Sequence, residues 1–186
     1  ILLGEAAPSG RLPVTFPARI EDTPAHAYSP GGDTVSYGER LHVGYRHFDA
    51  SNEPPLFPFG HGLTYTRFRY AGVQAPEAVA TAEPVEISFT LTNIGQRPGQ
   101  ETAQLYVRPR GPSQDRPVKE LKAFSKVVLE PQETTTVRLQ LDERAFAFYD
   151  PVIRRWVAEP GAYDLLIGGS AADVELQATV RLEAAE

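Results

Sequence analysis

Apolar and polar residues alternate along the later two-thirds of the chain with the two-residue period of strands buried on one face. The pattern is cleanest at Val85, Ile87, Phe89 and Leu91, which are interleaved with Glu86, Ser88 and Thr90. It recurs at Ala103, Leu105 and Val107, at Val137, Leu139 and Leu141, at Tyr163, Leu165 and Ile167, and from Val174 through Leu176, Ala178 and Val180 to Leu182. Turn chemistry separates these runs at Asn93-Ile94-Gly95, Glu130-Pro131, Asp150-Pro151, Glu159-Pro160-Gly161 and Gly168-Gly169-Ser170. Short punctuated strands with no long helical period predict an all-β fold, two sheets packed face to face in the immunoglobulin or fibronectin type III manner. Asp142 is placed to cap one helical turn before Phe146 and Phe148 re-enter the core. Trp156, the only tryptophan, lies between Arg155 and Val157 and reads as a core or core-edge residue.

The first third of the chain does not share this period. Residues 18–60 are rich in proline and glycine and then carry Tyr37, Leu41, Val43, Tyr45, Phe48, Leu56, Phe57 and Phe59. A solvated linker has no use for so many aromatics, which predicts an extended segment packed along a neighbouring domain. Residues 1–53 are expected to have no core of their own, whereas residues 60–182 are long enough to fold alone.

Composition narrows the function. The chain starts at Ile1 and has no methionine, from which we expect a piece of a longer protein. A net charge of -6 with a pI near 5.3 argues against nucleic-acid or anionic-membrane partners. No apolar run approaches the ~20 residues of a membrane span. Without cysteine there are no disulfides or thiolate ligands, and the compartment is not legible. His26, His42, His47 and His61 lack zinc-finger or HExxH spacing, so neither a metal nor a cofactor is expected.

Candidate chemistry is thin. Glycoside hydrolysis commonly needs two carboxyl groups about 5–10 Å apart, and the pairs Asp33 with Glu39 and Glu39 with Asp49 sit where acidic residues are usually solvated. No catalytic residue is assigned. His61, between Gly60 and Gly62, has no Ser or Cys beside it to activate. It reads as a junction lock, with its ring bonded to backbone and both glycines free to take positive φ. Arg46 is expected to pair with Asp49 or Glu39. The cluster Arg108, Arg110, Arg116, Lys119, Lys122 and Lys126 reads as a solvated face, with Lys122 and Lys126 guarding a strand edge. Tyr106 and Phe124 fall out of phase with their inward neighbours, which makes them an exposed platform or the cover of an interface.

Several motifs resemble one family. Pro8-Ser9-Gly10-Arg11-Leu12-Pro13-Val14-Thr15-Phe16-Pro17, the stretch from Tyr37 to Asp49 with its Gly44-Tyr45-Arg46, and Pro58-Phe59-Gly60-His61-Gly62-Leu63-Thr64-Tyr65-Thr66 come in that order. Arg116-Pro117-Val118-Lys119-Glu120-Leu121-Lys122-Ala123-Phe124, Phe148-Tyr149-Asp150 and Trp156-Val157-Ala158-Glu159-Pro160-Gly161 follow. Together they resemble the C-terminal region of family 3 glycoside hydrolases, a family dominated by β-glucosidases and β-xylosidases. Arg40 departs from a common glycine and His47 from a usual aromatic.

The resemblance implies that residues 1–17 close an α/β sandwich domain, 18–60 form the interdomain linker and 61–186 a fibronectin type III-like domain. In the family the nucleophilic aspartate lies in a (β/α)8 barrel and the acid/base glutamate in the α/β sandwich. Neither segment has a counterpart here, so the chain is expected to be inactive alone. Its implied partners are those two catalytic domains, and through them an oligosaccharide or glycoside substrate of an exo-acting parent. Tyr45, Arg46, Phe48, Phe57, Phe59 and His61 are expected to form the interdomain docking seam. The rival readings are a carbohydrate-binding module, which needs a planar row of exposed aromatics, and an adhesion-type fibronectin domain.

Overall fold

The computed structural model describes residues 1–28, 33–51 and 53–184. One three-stranded antiparallel sheet runs in the order β1 (Phe68–Gln74), β3 (Val85–Asn93), β6 (Thr134–Leu141). Facing it, a five-stranded sheet runs β2 (Ala78–Ala80), β10 (Val174–Glu183), β9 (Gly161–Gly168), β4 (Gly99–Pro109), β5 (Glu120–Leu129). Strand β2 joins β10 in parallel, and the other pairings are antiparallel. A separate hairpin pairs β7 (Phe148–Asp150) with β8 (Arg155–Val157).

The alternation in the sequence becomes the core between the sheets. Val85, Ile87, Phe89 and Leu91 of β3 meet Ala103, Leu105 and Val107 of β4 and Tyr163, Leu165 and Ile167 of β9, all buried. Asn93 shows what its turn is for. Fully buried, it donates from Nδ2 to the carbonyls of Arg97 (2.8 Å) and Leu129 (3.0 Å) and accepts at Oδ1 from Gly95 N (3.0 Å) and the Thr66 hydroxyl. Asp142 caps the turn Glu143–Ala145 as expected, accepting from Ala145 N at 3.1 Å, and Phe146 beyond it is buried edge-on to Tyr163.

Two strands depart from simple alternation. Residues 103–107 of β4 and 163–168 of β9 are buried at consecutive positions, so both faces of these strands are covered. Tyr106 is completely buried, so of the two out-of-phase aromatics it is an interface residue, whereas Phe124 is 66 % exposed. Trp156 is not a core residue: it is 47 % exposed. It sits in a three-residue strand outside both sheets, opposite Tyr149, with the Arg144 guanidinium 3.2 Å above its ring.

Candidate docking site

The second covering of β4 and β9 comes from the chain's own first third. On the outer face of β4 the Tyr106 hydroxyl donates to Gln104 Oε1 at 2.6 Å. Gln104 Nε2 donates in turn to the carbonyls of Gly60 (3.3 Å) and Gly169 (2.6 Å). The Phe59 carbonyl accepts from Ala171 N at 2.9 Å. Helix α1 (Tyr45–Ser51), which the sequence reading did not foresee, lays Tyr45 on this platform. The Tyr45 ring stacks on Phe59 at 5.0 Å and meets Tyr106 edge-on at 5.8 Å, and its hydroxyl accepts from Leu121 N at 2.9 Å. Burial pushes the Tyr106 hydroxyl above its usual value, which keeps it a neutral donor.

Both glycines around His61 are required, for different reasons. Gly60 has φ +81° and a Cβ there would fall 2.2 Å from Gln104 Oε1. Gly62 has no positive φ; a Cβ there would lie 2.3 Å from the Gly10 carbonyl, so only its lack of a side chain matters. The His61 ring does not bond to backbone as expected: it stacks on Phe57 at 5.4 Å, and it is the His61 carbonyl that accepts from Leu12 N at 2.9 Å. A backbone bridge joins Phe16 to Phe57 through bonds of 2.8 and 3.2 Å, and Gly60 N reaches the Leu12 carbonyl at 2.9 Å. Residues 12–16 thus run antiparallel beside 57–61, tied at both ends by main-chain bonds with a bend at Pro13 and Val14 between them.

Ion pairs fasten the same surface. Arg46 pairs with Glu120 at 2.8 Å and not with the Asp49 or Glu39 nearer in sequence. Asp49 is taken by Lys119, whose ammonium also lies 5.9 Å from the Tyr106 ring centre. Burial pushes the Asp49 carboxyl above its ordinary value despite that lysine. Arg11 binds the buried Glu101, where burial likewise raises the carboxyl against the pull of the arginine. The cationic cluster is therefore largely a set of paired groups. Arg108 and Arg110 converge on Asp164, Lys122 and Arg116 on Glu120, and Lys126 donates to Ser9. The signal missed in the sequence was the set of carboxylates at Glu101, Glu120 and Asp164, each placed in or beside a strand.

Tyr45, Arg46, Phe48 and Phe59 are brought together against the sandwich of this same chain, with Phe48 8 % exposed. Phe57 and His61 lie where the main chain of residues 12–16 is tied to 57–61, and Phe57 is 43 % exposed. Of the carboxylates weighed for hydrolysis, Asp49 is engaged by Lys119, Asp33 is exposed, and Glu39 keeps a buried Oε2 without a hydrogen-bond partner. Among the described residues no group of three or more His, Asp or Glu is arranged to hold a metal.

Residues 1–65 match the glycosyl hydrolase family 3 C-terminal domain, and residues 101–171 match the fibronectin type III-like domain. The chain belongs to glycoside hydrolase family 3. Thermostable beta-glucosidase B of Acetivibrio thermocellus is 44 % identical over 184 residues, 98 % of this chain and 24 % of that protein. Beta-glucosidase BoGH3A of Bacteroides ovatus is 41 % identical over 180 residues, 94 % of this chain and 24 % of that protein. Among solved structures, the Bifidobacterium adolescentis GH3 beta-glucosidase superposes with a TM-score of 0.92 at 37 % identity, covering 98 % of this chain and 27 % of that one. The beta-glucosidase DesR of Streptomyces venezuelae, solved in complex with D-glucose, gives 0.91 at 35 % identity, covering 98 % and 24 %. The chain spans about a quarter of the length of the family 3 relatives it matches.

Proposed function

We propose that this chain is the C-terminal structural part of a β-glucosidase-type, exo-acting hydrolase whose other domains release a terminal sugar from β-linked glycosides. In this reading residues 1–17 close the preceding α/β sandwich, 18–60 are the interdomain linker and 61–186 the fibronectin type III-like domain. One observation carries it. The segment 1–65 is tied to the sandwich by a polar network and aromatic stacks, yet it still exposes Leu2, Leu3, Val14, Leu56, Phe57 and Leu63. So many exposed apolar side chains on one arm call for a further surface to cover them. Tyr45, Arg46, Phe48 and Phe59 fix the linker, and Phe57 on His61 turns toward the barrel and α/β sandwich of the parent.

Two measurements test this. The purified chain should hydrolyse no aryl β-glucoside or β-xyloside above a buffer blank; turnover abolished by Glu39→Gln or Asp49→Asn overturns the structural role. In the full-length parent, Phe57→Ala should lower the melting temperature and leave KM unchanged. A severalfold rise in KM at constant melting temperature would place Phe57 in the substrate cleft instead.

A further inference from the structure

A cleft of about 730 Å³ opens between the β7–β8 hairpin, the start of β5 and the linker loop before α1. Its charges do not balance. Arg46, Lys122 and Arg116 converge on Glu120 at 2.8, 3.3 and 3.8 Å, three cations around one carboxylate. The other carboxylates lining the cleft are occupied, since Asp142 caps Ala145 N and Asp115 faces His42 at 3.3 Å. In a chain of net charge -6 such a local excess is not a general property of the surface.

Two features of the cluster ask for another anion. The Arg116 side chain is only 2 % exposed and its Nη1 has no hydrogen-bond partner, a position that costs free energy until an acceptor arrives. Burial, reinforced by Arg116 and Arg46, holds the Lys122 ammonium below its usual value even with Glu120 beside it. Also lining the cleft, Tyr149 and Trp156 stand 5.6 Å apart and each is 47 % exposed. Arg144 covers one face of the indole, and the two rings, inclined at 60°, leave exposed apolar surface for a ring to rest against.

We propose that this cleft binds a carboxylate carried on a ring, the carboxylate taking the free donors of Arg116 and Lys122 and the ring lying against Trp156 and Tyr149. A guanidinium fork suits a planar carboxylate, and a neutral ring leaves the excess of positive charge around Glu120 uncompensated. A uronic acid sugar and an aromatic acid share this chemistry. The proposal is independent of the parent's hydrolytic activity.

The chain should be titrated with methyl β-D-glucuronide, benzoate, neutral methyl β-D-glucoside and acetate at low ionic strength. Trp156, the single tryptophan, supplies the fluorescence signal. At least one ring acid should bind about ten-fold more tightly than both the glucoside and acetate, and the stronger of the two identifies the source. Trp156→Ala, read by calorimetry, and Lys122→Gln should each weaken it about ten-fold, with near-ultraviolet circular dichroism of Lys122→Gln unchanged. Equal binding of the glucoside overturns the role of the cations, and equal binding of acetate overturns the role of the ring. No saturable binding of either acid overturns the site itself. Because the readout is binding and not turnover, none of these outcomes bears on the expectation that the chain alone hydrolyses no glycoside.

Discussion

The Tyr106 hydroxyl donates to the Gln104 amide at 2.6 Å, and both side chains lie on the face of β4 turned away from the sandwich core. The amide passes the interaction to Gly60 on one side and Gly169 on the other. Truncating it orphans a buried hydroxyl and two carbonyls at once. Gln104→Ala is expected to cost at least about 3 kcal/mol, against about 1 kcal/mol for Tyr106→Phe, since each unmet buried group costs ~1–3 kcal/mol. Urea denaturation of the two variants checks the order; equal costs would mean that water replaces the amide.

Hydrogen exchange tests whether the arm is bound in solution. The sequence suggests fast exchange throughout residues 1–53, but Leu12 N and Phe16 N donate to His61 and Phe57. Their amides should be protected together with Gly60 and Phe57, less than Ile87, Leu105 and Leu165 of the core. Residues 34–37, without regular structure and exposed, should exchange fast. Fast exchange at Leu12 and Phe16 would show the arm detached.

Acid sensitivity should follow two carboxylates of opposite character. Burial alone would raise Asp164, but bonds from Arg110, Arg108 and Thr179 outweigh it and hold the carboxyl below its ordinary value. Its stabilisation is therefore present above the ordinary aspartate range and lost as pH falls through the folded-state value. The stability difference between wild type and Asp164→Asn, about 1–3 kcal/mol at neutral pH, should shrink on acidification below about pH 4. Glu101 is raised by burial, so the folded state holds its proton longer than the unfolded one. Glu101→Gln should gain on wild type as pH rises from about 4 toward neutrality. Paired urea midpoints between pH 2 and 7 (roughly the carboxylate range) read both signs.

Trp156→Ala should be mild. A buried tryptophan costs on the order of 3–5 kcal/mol to truncate, but this one is half exposed and its defined partners are Arg144 and Tyr149. The expected loss is about 1–2 kcal/mol, the scale of a cation–π contact with some burial. Phe146→Ala, fully inside the core, should cost about 3–5 kcal/mol. A thermal melt that ranks Trp156 above Phe146 would contradict the exposure of the hairpin.

What was legible in the sequence was whatever depends on near neighbours. The strands at Val85 to Leu91 and Tyr163 to Ile167 show because a two-residue period needs only one buried face. The cap at Asp142 and the turn after Asn93 are local chemistry. The pairing of Arg46 with Glu120 joins residues 74 apart, and nearer acids at Glu39 and Asp49 are equally plausible on paper. Tyr106 and Leu166 fall out of phase for one sheet face because a second layer lies over them, and periodicity carries no sign of that layer. Trp156 misled for the converse reason: apolar identity says what burial would reward, not whether a three-residue strand reaches the core.

A strand with an inside on each of its faces changes what it means to cut this molecule. Removing residues 1–60 would leave every sheet hydrogen bond of β4 and β9 intact while bringing Gln104, Tyr106 and Leu166 into water. The border between arm and sandwich is thus a plane lying along those strands and not a point on the chain. A trimmed domain would keep its topology and acquire a wet, adhesive flank, so solubility should fail at a truncation that secondary structure survives.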